Sequence, residues 1–148
     1  MSRRERRLDI ILKALKRGLT VTEIDQLLER YEEGRRRRQK GKESEERATR
    51  LLGSIDIVDK VLPTQRCGVL DEIGIDLKVR FTKFSGYEPV HVQVKSSDHA
   101  VYEFTDHPYF PSLRRVYRLI VLNAGPKVDD ASIVDSFLEQ LEELDFII

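Results

Sequence analysis

This chain of 148 residues has no tryptophan, one methionine and one cysteine, and aromatic residues make up only 7% of it. A lone Cys67 excludes an internal disulfide and any multi-cysteine zinc site. Its expected role is that of a small buried or half-buried residue, and a reducing cytoplasm is the expected home. There is no run of about 18 apolar residues, so no membrane span is expected. The opening MSRRERR leads into an amphipathic pattern instead of an apolar secretory core, so no signal peptide is read. Net charge is also missing, because 26 basic and 26 acidic residues cancel. That balance hides an asymmetry: residues 1–50 hold 16 basic and 10 acidic residues, and residues 51–148 hold 10 and 16. A basic first third beside an acidic remainder suits a polyanion-binding arm next to a metal-binding body, or two halves that neutralise one another.

What is present is periodicity. Leu8, Ile11, Leu12 and Leu15 recur at helical spacing, which predicts an amphipathic helix over about 3–17. Gly18 is the expected stop, and Thr20 with Glu23 fits a capping box. Val21, Ile24, Leu27, Leu28 and Tyr31 form a second stripe, giving an N-terminal helical pair over residues 1–39. Arg35, Arg36, Arg37, Arg38, Lys40 and Lys42 follow as a basic linker, a candidate for sequence-independent phosphate contact. A third helix is expected over about 43–53, with Ala48, Leu51 and Leu52 inward and Glu45 at the upstream end of that face. Ile55–Leu62 alternates as a strand, and residues 63–72 connect it onward. Residues 99–113, with two prolines, read as irregular. Val116–Leu122 reads as a buried strand and Asp129–Leu144 as a closing amphipathic helix.

The densest information lies in Gly74–Ser97, GIDLKVRFTKFSGYEPVHVQVKSS, which reads as a β-hairpin. Side chains alternate across a strand. Ile75, Leu77, Val79 and Phe81 therefore share one face with Val90, Val92 and Val94, while Asp76, Lys78, Arg80, His91, Gln93 and Lys95 take the other. A two-residue turn at Ser85-Gly86 would pair Val79 with Val92, Lys78 with Gln93 and Asp76 with Lys95. Pro89 interrupts that ladder, since it has no N–H to donate.

The pieces KGKESE at Lys40–Glu45, GIDLKV at Gly74–Val79 and VQVKSS at Val92–Ser97 come in the order of the PD-(D/E)XK nuclease superfamily. Over roughly residues 40–145 the chain resembles its Mrr-like and archaeal Holliday-junction-resolvase-like branches. The resemblance implies an α/β fold with a restriction-endonuclease-like core: elements in the order α-β-β-β-α-β, and a mixed central sheet flanked by helices. A nuclease-like domain would then occupy residues 40–148, after the helical pair. Two departures stand out. Gln93 occupies the acidic position of the (D/E)-x-K element, as is usual in Mrr-like members, and Ile75 stands where a proline commonly precedes the motif aspartate.

The implied function is a metal-dependent endonuclease hydrolysing DNA phosphodiester bonds in restriction, repair or recombination. The implied cofactor is Mg²⁺, with Mn²⁺ as substitute, held by Asp76, Gln93, the Val94 carbonyl and Glu45. Lys95 would act on the attacking water and the transition-state charge, and the implied assembly is a homodimer. Two rivals stand beside this reading: a nuclease fold used only for DNA binding, and a protein-interaction module docking through its helical pair. RNA stays open as a substrate because nothing reads a 2′-hydroxyl. Among lesser candidates, Asp71 and Glu72 precede the motif strand and offer a more distant carboxylate. His99 and His107 each follow an Asp, the only hint of a zinc site.

Overall fold

The computed structural model describes residues 2–64 and 74–147. Cys67, Asp71 and Glu72, singled out above, lie outside the described residues. The chain divides into two compact units, residues 1–39 and residues 40–148.

The first unit holds α1 (Arg3–Lys16) and the opening turns of α2 (Val21–Gly53). Ser2 caps α1 through the Glu5 N–H, and Gly18, at φ +77°, marks its end. Thr20 and Glu23 form the expected capping box: the Glu23 carboxylate accepts from the Thr20 N–H at 3.1 Å, and the Thr20 hydroxyl accepts from the Glu23 N–H at 3.3 Å. Ala14 and Ile24 are buried, and Arg3 and Arg7 both donate to Glu32. Leu8, Leu12 and Leu15 stay exposed.

α2 corrects the expected division of residues 21–53 into helix, linker and helix, because it is one element of 33 residues. The basic segment is helical. Arg, Gln, Lys and Glu are good helix formers, and isolated Gly34 and Gly41 each cost only about 1 kcal/mol against that sum. An ion pair between Arg37 and Glu33 adds i,i+4 support.

In the second unit four strands form one mixed sheet in the order β1-β2-β3-β4. They are β1 (Val58–Pro63), β2 (Leu77–Phe81), β3 (Val90–Lys95) and β4 (Leu119–Asn123). β1–β2 and β2–β3 are antiparallel, and β3–β4 is parallel. The crossover from β3 to β4 carries α3 (Asp98–Thr105) and α4 (Phe110–Tyr117), and α5 (Asp130–Ile147) closes the chain. The described residues thus make an α/β fold with five α-helices. No helix among them is long and apolar enough to cross a membrane.

One face of the sheet buries Leu77, Val79, Val92, Ile120 and Leu122 against Ala48, Leu51 and Leu52 of α2 and Ile133, Phe137, Leu141 and Leu144 of α5. Each fully buried leucine or phenylalanine here contributes about 1.5–3 kcal/mol. On the other face Ile75, Leu119 and Val121 pack with Val101, Phe104, Phe110, Leu113 and Tyr117 from α3 and α4. Gln140 of α5 satisfies edge strand β4, donating to the Val121 carbonyl at 2.8 Å and accepting from its N–H at 3.1 Å.

Three more boundaries differ from expectation. β1 starts at Val58 instead of Ile55, after a turn in which the Val58 N–H donates to the Ile55 carbonyl. Residues 99–113 are largely helical: Ser97 caps α3 through the Ala100 N–H, and Pro111 sits in the first turn of α4, where its missing N–H costs nothing. Val116 and Tyr117 belong to α4, which ends at Arg118 in the left-handed region, so β4 begins only at Leu119.

The hairpin register is the main correction. Val79 pairs with Val90, Leu77 with Val92 and Lys78 with His91, two residues away from the expected pairing. The connection is not a two-residue turn. It contains a single 3-10 turn at Lys83–Ser85, after which Gly86 takes φ +76°, a value that suits glycine. Pro89 ends the ladder at Val90, and Phe81 turns to β1, pairing with Val58 and lying 5.5 Å from the Tyr87 ring and 6.2 Å from Phe137. A slip of two keeps Leu77 and Val79 on the face of Val90 and Val92, but Ile75, expected on that face, packs with Leu119 and Val121 on the other, so the alternation breaks between Ile75 and Leu77, where the Asp76 N–H bonds the Val92 carbonyl.

Candidate active site

The site lies where β2 begins and β3 ends. The Asp76 N–H donates to the carbonyl of Val92, the partner of Leu77, at 3.0 Å, so the ladder is irregular at Asp76. Thr64 fixes the other side of this entry, its N–H donating to the Asp76 carbonyl at 2.9 Å and its hydroxyl to the Ile75 carbonyl at 2.7 Å. The Asp76 carboxylate accepts from the Val94 N–H at 2.8 Å. Peptide groups alternate sides along a strand. The Lys95 carbonyl accepts from Ala124 on the β4 side, so that of Val94 faces the Asp76 side.

Glu45 comes from α2. It is exposed, not turned inward as its spacing suggests, yet its carboxylate reaches Asp76. Burial pushes the Asp76 carboxyl up to about 7, and the nearby Glu45 carboxylate acts in the same direction. The Val94 N–H and the Lys95 ammonium oppose this rise.

Gln93 is buried, and its Oε1 has no hydrogen-bond partner among the described residues. A buried amide oxygen without a donor costs about 1–3 kcal/mol. Lys95 is half-buried, with Nζ 5.0 Å from the centre of the Phe104 ring in a cation–π contact. Glu45, Asp76, Gln93 and Lys95 are therefore gathered at one end of the sheet.

Two contacts fix α2 there. The Ser44 and Ser96 hydroxyls are 2.8 Å apart, joining the neighbour of Glu45 to the neighbour of Lys95. Arg47 donates to the carbonyls of Gly125 and Val128, each at 2.6 Å, and to Asp130. Gly125 passes so close to β3 that a Cβ there would lie 2.0 Å from the Ser96 carbonyl oxygen.

Ser44, Arg47 and Phe104 are not among the residues that the sequence singles out. Ser44 carries a usable signal: it lies four residues before Ala48, on the inward stripe, where a small polar side chain needs a partner. Phe104 carries none, because residues 99–113 show no period from which α3 could be read.

The remaining candidates are dispersed. Arg35, Arg36, Arg37 and Arg38 lie exposed on α2 in the first unit, and Lys40 and Lys42 belong to the second. At 3.6 residues per turn the four arginines point around the helix. His99 pairs with Glu103, and His107 accepts from the Tyr109 N–H, so the two histidines are engaged separately. Among the described residues no three His, Cys, Asp or Glu side chains gather as a metal-holding group. The donor set at this site is two carboxylates, an amide oxygen and a peptide carbonyl.

Comparison with protein-family models, with curated proteins and with solved structures finds no match to this chain.

Proposed function

We propose that the chain is a metal-dependent endonuclease acting on DNA, of the PD-(D/E)XK type. The observation that carries this reading is the meeting of the Asp76 and Glu45 carboxylates beside the Val94 N–H, next to Gln93, whose buried Oε1 has no partner among the described residues. Two neighbouring carboxylates with an amide oxygen from the adjacent strand form a set of hard oxygen donors suited to a cation. Such a set fits Mg²⁺ or Mn²⁺, which take oxygen ligands and keep several waters. The element order from the second half of α2 through β1, β2, β3, the α3–α4 crossover, β4 and α5 supports the same assignment.

Asp76, Glu45, Gln93 and the Val94 carbonyl would hold the ion. When bound, a divalent ion supplies a water of lowered pKa and polarises a phosphate. The Val94 N–H orients the Asp76 carboxylate. Lys95, the nearby cation, offers its ammonium to the attacking water and to the oxygens on which charge develops. Phe104 holds that ammonium at the edge of the site. The exposed cations of α2 add sequence-independent attraction for the phosphate backbone.

A second reading, a nuclease fold used only to bind DNA, is favoured by the small donor set, which has two carboxylates. The purified full chain is to be incubated with supercoiled plasmid and with a branched DNA in Mg²⁺, in Mn²⁺ and in EDTA. Cutting in metal that Asp76→Ala loses supports the nuclease. Gel retardation by wild type without cutting in any condition supports the binding module.

A further inference from the structure

β2 carries two cations, Lys78 and Arg80, on the face that holds Gln93 and Lys95 of β3, since Lys78 pairs with His91. Cross-strand pairing sets Lys60 of β1 beside Arg80, and His91 of β3 beside Lys78. The β4 side of this face is roofed by α3 and α4 over Leu119 and Val121. On the β1–β2 side Lys60 and Arg80 are exposed and Lys78 is half-buried. His91 turns its Nδ1 to the Tyr117 carbonyl at 2.6 Å.

Among the described residues no acidic side chain pairs with Lys60, Lys78 or Arg80. Like charges directly opposite one another in a sheet are destabilising. Lys60 and Arg80 form such a pair, and Lys78 lies one step along the same face. Fold stability does not explain this arrangement; a polyanion lying on the sheet does.

We infer that the exposed β1–β2 face is a track on which the DNA phosphate backbone runs to the Asp76–Glu45 site. The inference rests on the nuclease reading and adds the path of the substrate. Alternate residues of a strand are about 6.8 Å apart, so Arg80 lies about 14 Å from Asp76. At about 3.4 Å of rise per nucleotide, that distance spans about four nucleotides of one strand. The face is one-sided, so the contacted nucleotides lie on one side of the scissile phosphate.

The test is the salt dependence of binding to a labelled 20-base-pair duplex in EDTA, measured with the full chain. Each lost phosphate contact lowers the slope of log affinity against log salt by about 0.9. Lys60→Gln/Lys78→Gln/Arg80→Gln should flatten the slope by about 2–3, Arg80→Gln alone by about 1, and exposed Arg115→Gln on α4 not at all. Wild-type slopes for both the single and the triple variant would overturn the track and leave the nuclease reading standing. Absence of any duplex binding by wild type at low salt would overturn both. Flattening seen with duplex RNA, and not with DNA, would overturn the choice of DNA as occupant.

Discussion

The Asp76 carboxylate, at the entry to β2, accepts from the Val94 N–H of β3 at 2.8 Å, which ties the two strands together at the site. Burial raises the Asp76 carboxyl to about 7 despite that bond, and the nearby Glu45 carboxylate of α2 repels its anion in addition.

This has a consequence for stability. The Asp76 carboxyl stands at about 7 in the folded chain, against an ordinary value of 3.8. The folded state therefore binds more protons than the unfolded state between these limits. The stabilisation is fully present below about pH 3.8 and is lost as pH rises through about 7. Each tenfold change in proton affinity corresponds to about 1.4 kcal/mol, so the loss is on the order of a few kcal/mol. Urea midpoints in EDTA should fall between pH 4 and pH 8 for wild type and fall much less for Asp76→Asn. Parallel curves for the two proteins would contradict the raised Asp76 carboxyl.

A divalent ion should replace the Asp76 proton. At pH 8, Mg²⁺ at a hundred times its dissociation constant should stabilise wild type by about 2.7 kcal/mol. Gln93→Met keeps the volume and removes the amide oxygen, so it should bind Mg²⁺ more weakly without losing stability in EDTA. Thermal melts with and without Mg²⁺ read both effects. An equal Mg²⁺ effect on wild type and Gln93→Met would remove Gln93 from the donor set.

Gly125 sets the position of Ser96, and with it the end of β3. A Cβ 2.0 Å from the Ser96 carbonyl oxygen must displace backbone, not a flexible side chain. Gly125→Ala should cost about 1–3 kcal/mol, the range for overpacked cores, and should lower cutting more than Ser44→Ala does. Denaturation and cleavage rates measured on both variants check this, and a wild-type midpoint for Gly125→Ala would refute it.

Much of the site is legible in the hairpin, because strand parity depends only on the alternation of Leu77, Val79, Val90, Val92 and Val94 with polar residues. Parity survives a slip of two within β2 and β3, so Gln93 and Lys95 share the expected face; it fails at the entry to β2, where Ile75 packs with Leu119 and Val121 and Asp76 reaches the Val94 N–H. The register itself is hidden in the connection: Ser85-Gly86 has the composition of a tight turn, whereas the Phe81–Tyr87 ring contact and Pro89 favour a longer one. The continuity of α2 is hidden by Gly34 and Gly41, which punctuate a segment whose other residues favour helix. α3 and α4 span eight residues each, too short for a stripe to repeat convincingly. Glu45 is legible from its place on the helix, but its contact with Asp76 depends on Ser44 and Arg47, which bind segments distant in sequence.

In the proposed nuclease, Asp76 and Lys95 serve one metal-dependent hydrolysis. The most direct measurement is single-turnover cleavage of a branched DNA in Mg²⁺ by wild type, Asp76→Ala and Lys95→Ala, with binding to the same DNA measured in EDTA. Wild type should cut, Lys95→Ala should lose about 10²–10³ in rate, Asp76→Ala should lose at least as much, and all three should retain binding. Equal cutting by the three proteins, or cutting that persists in EDTA, would contradict that role.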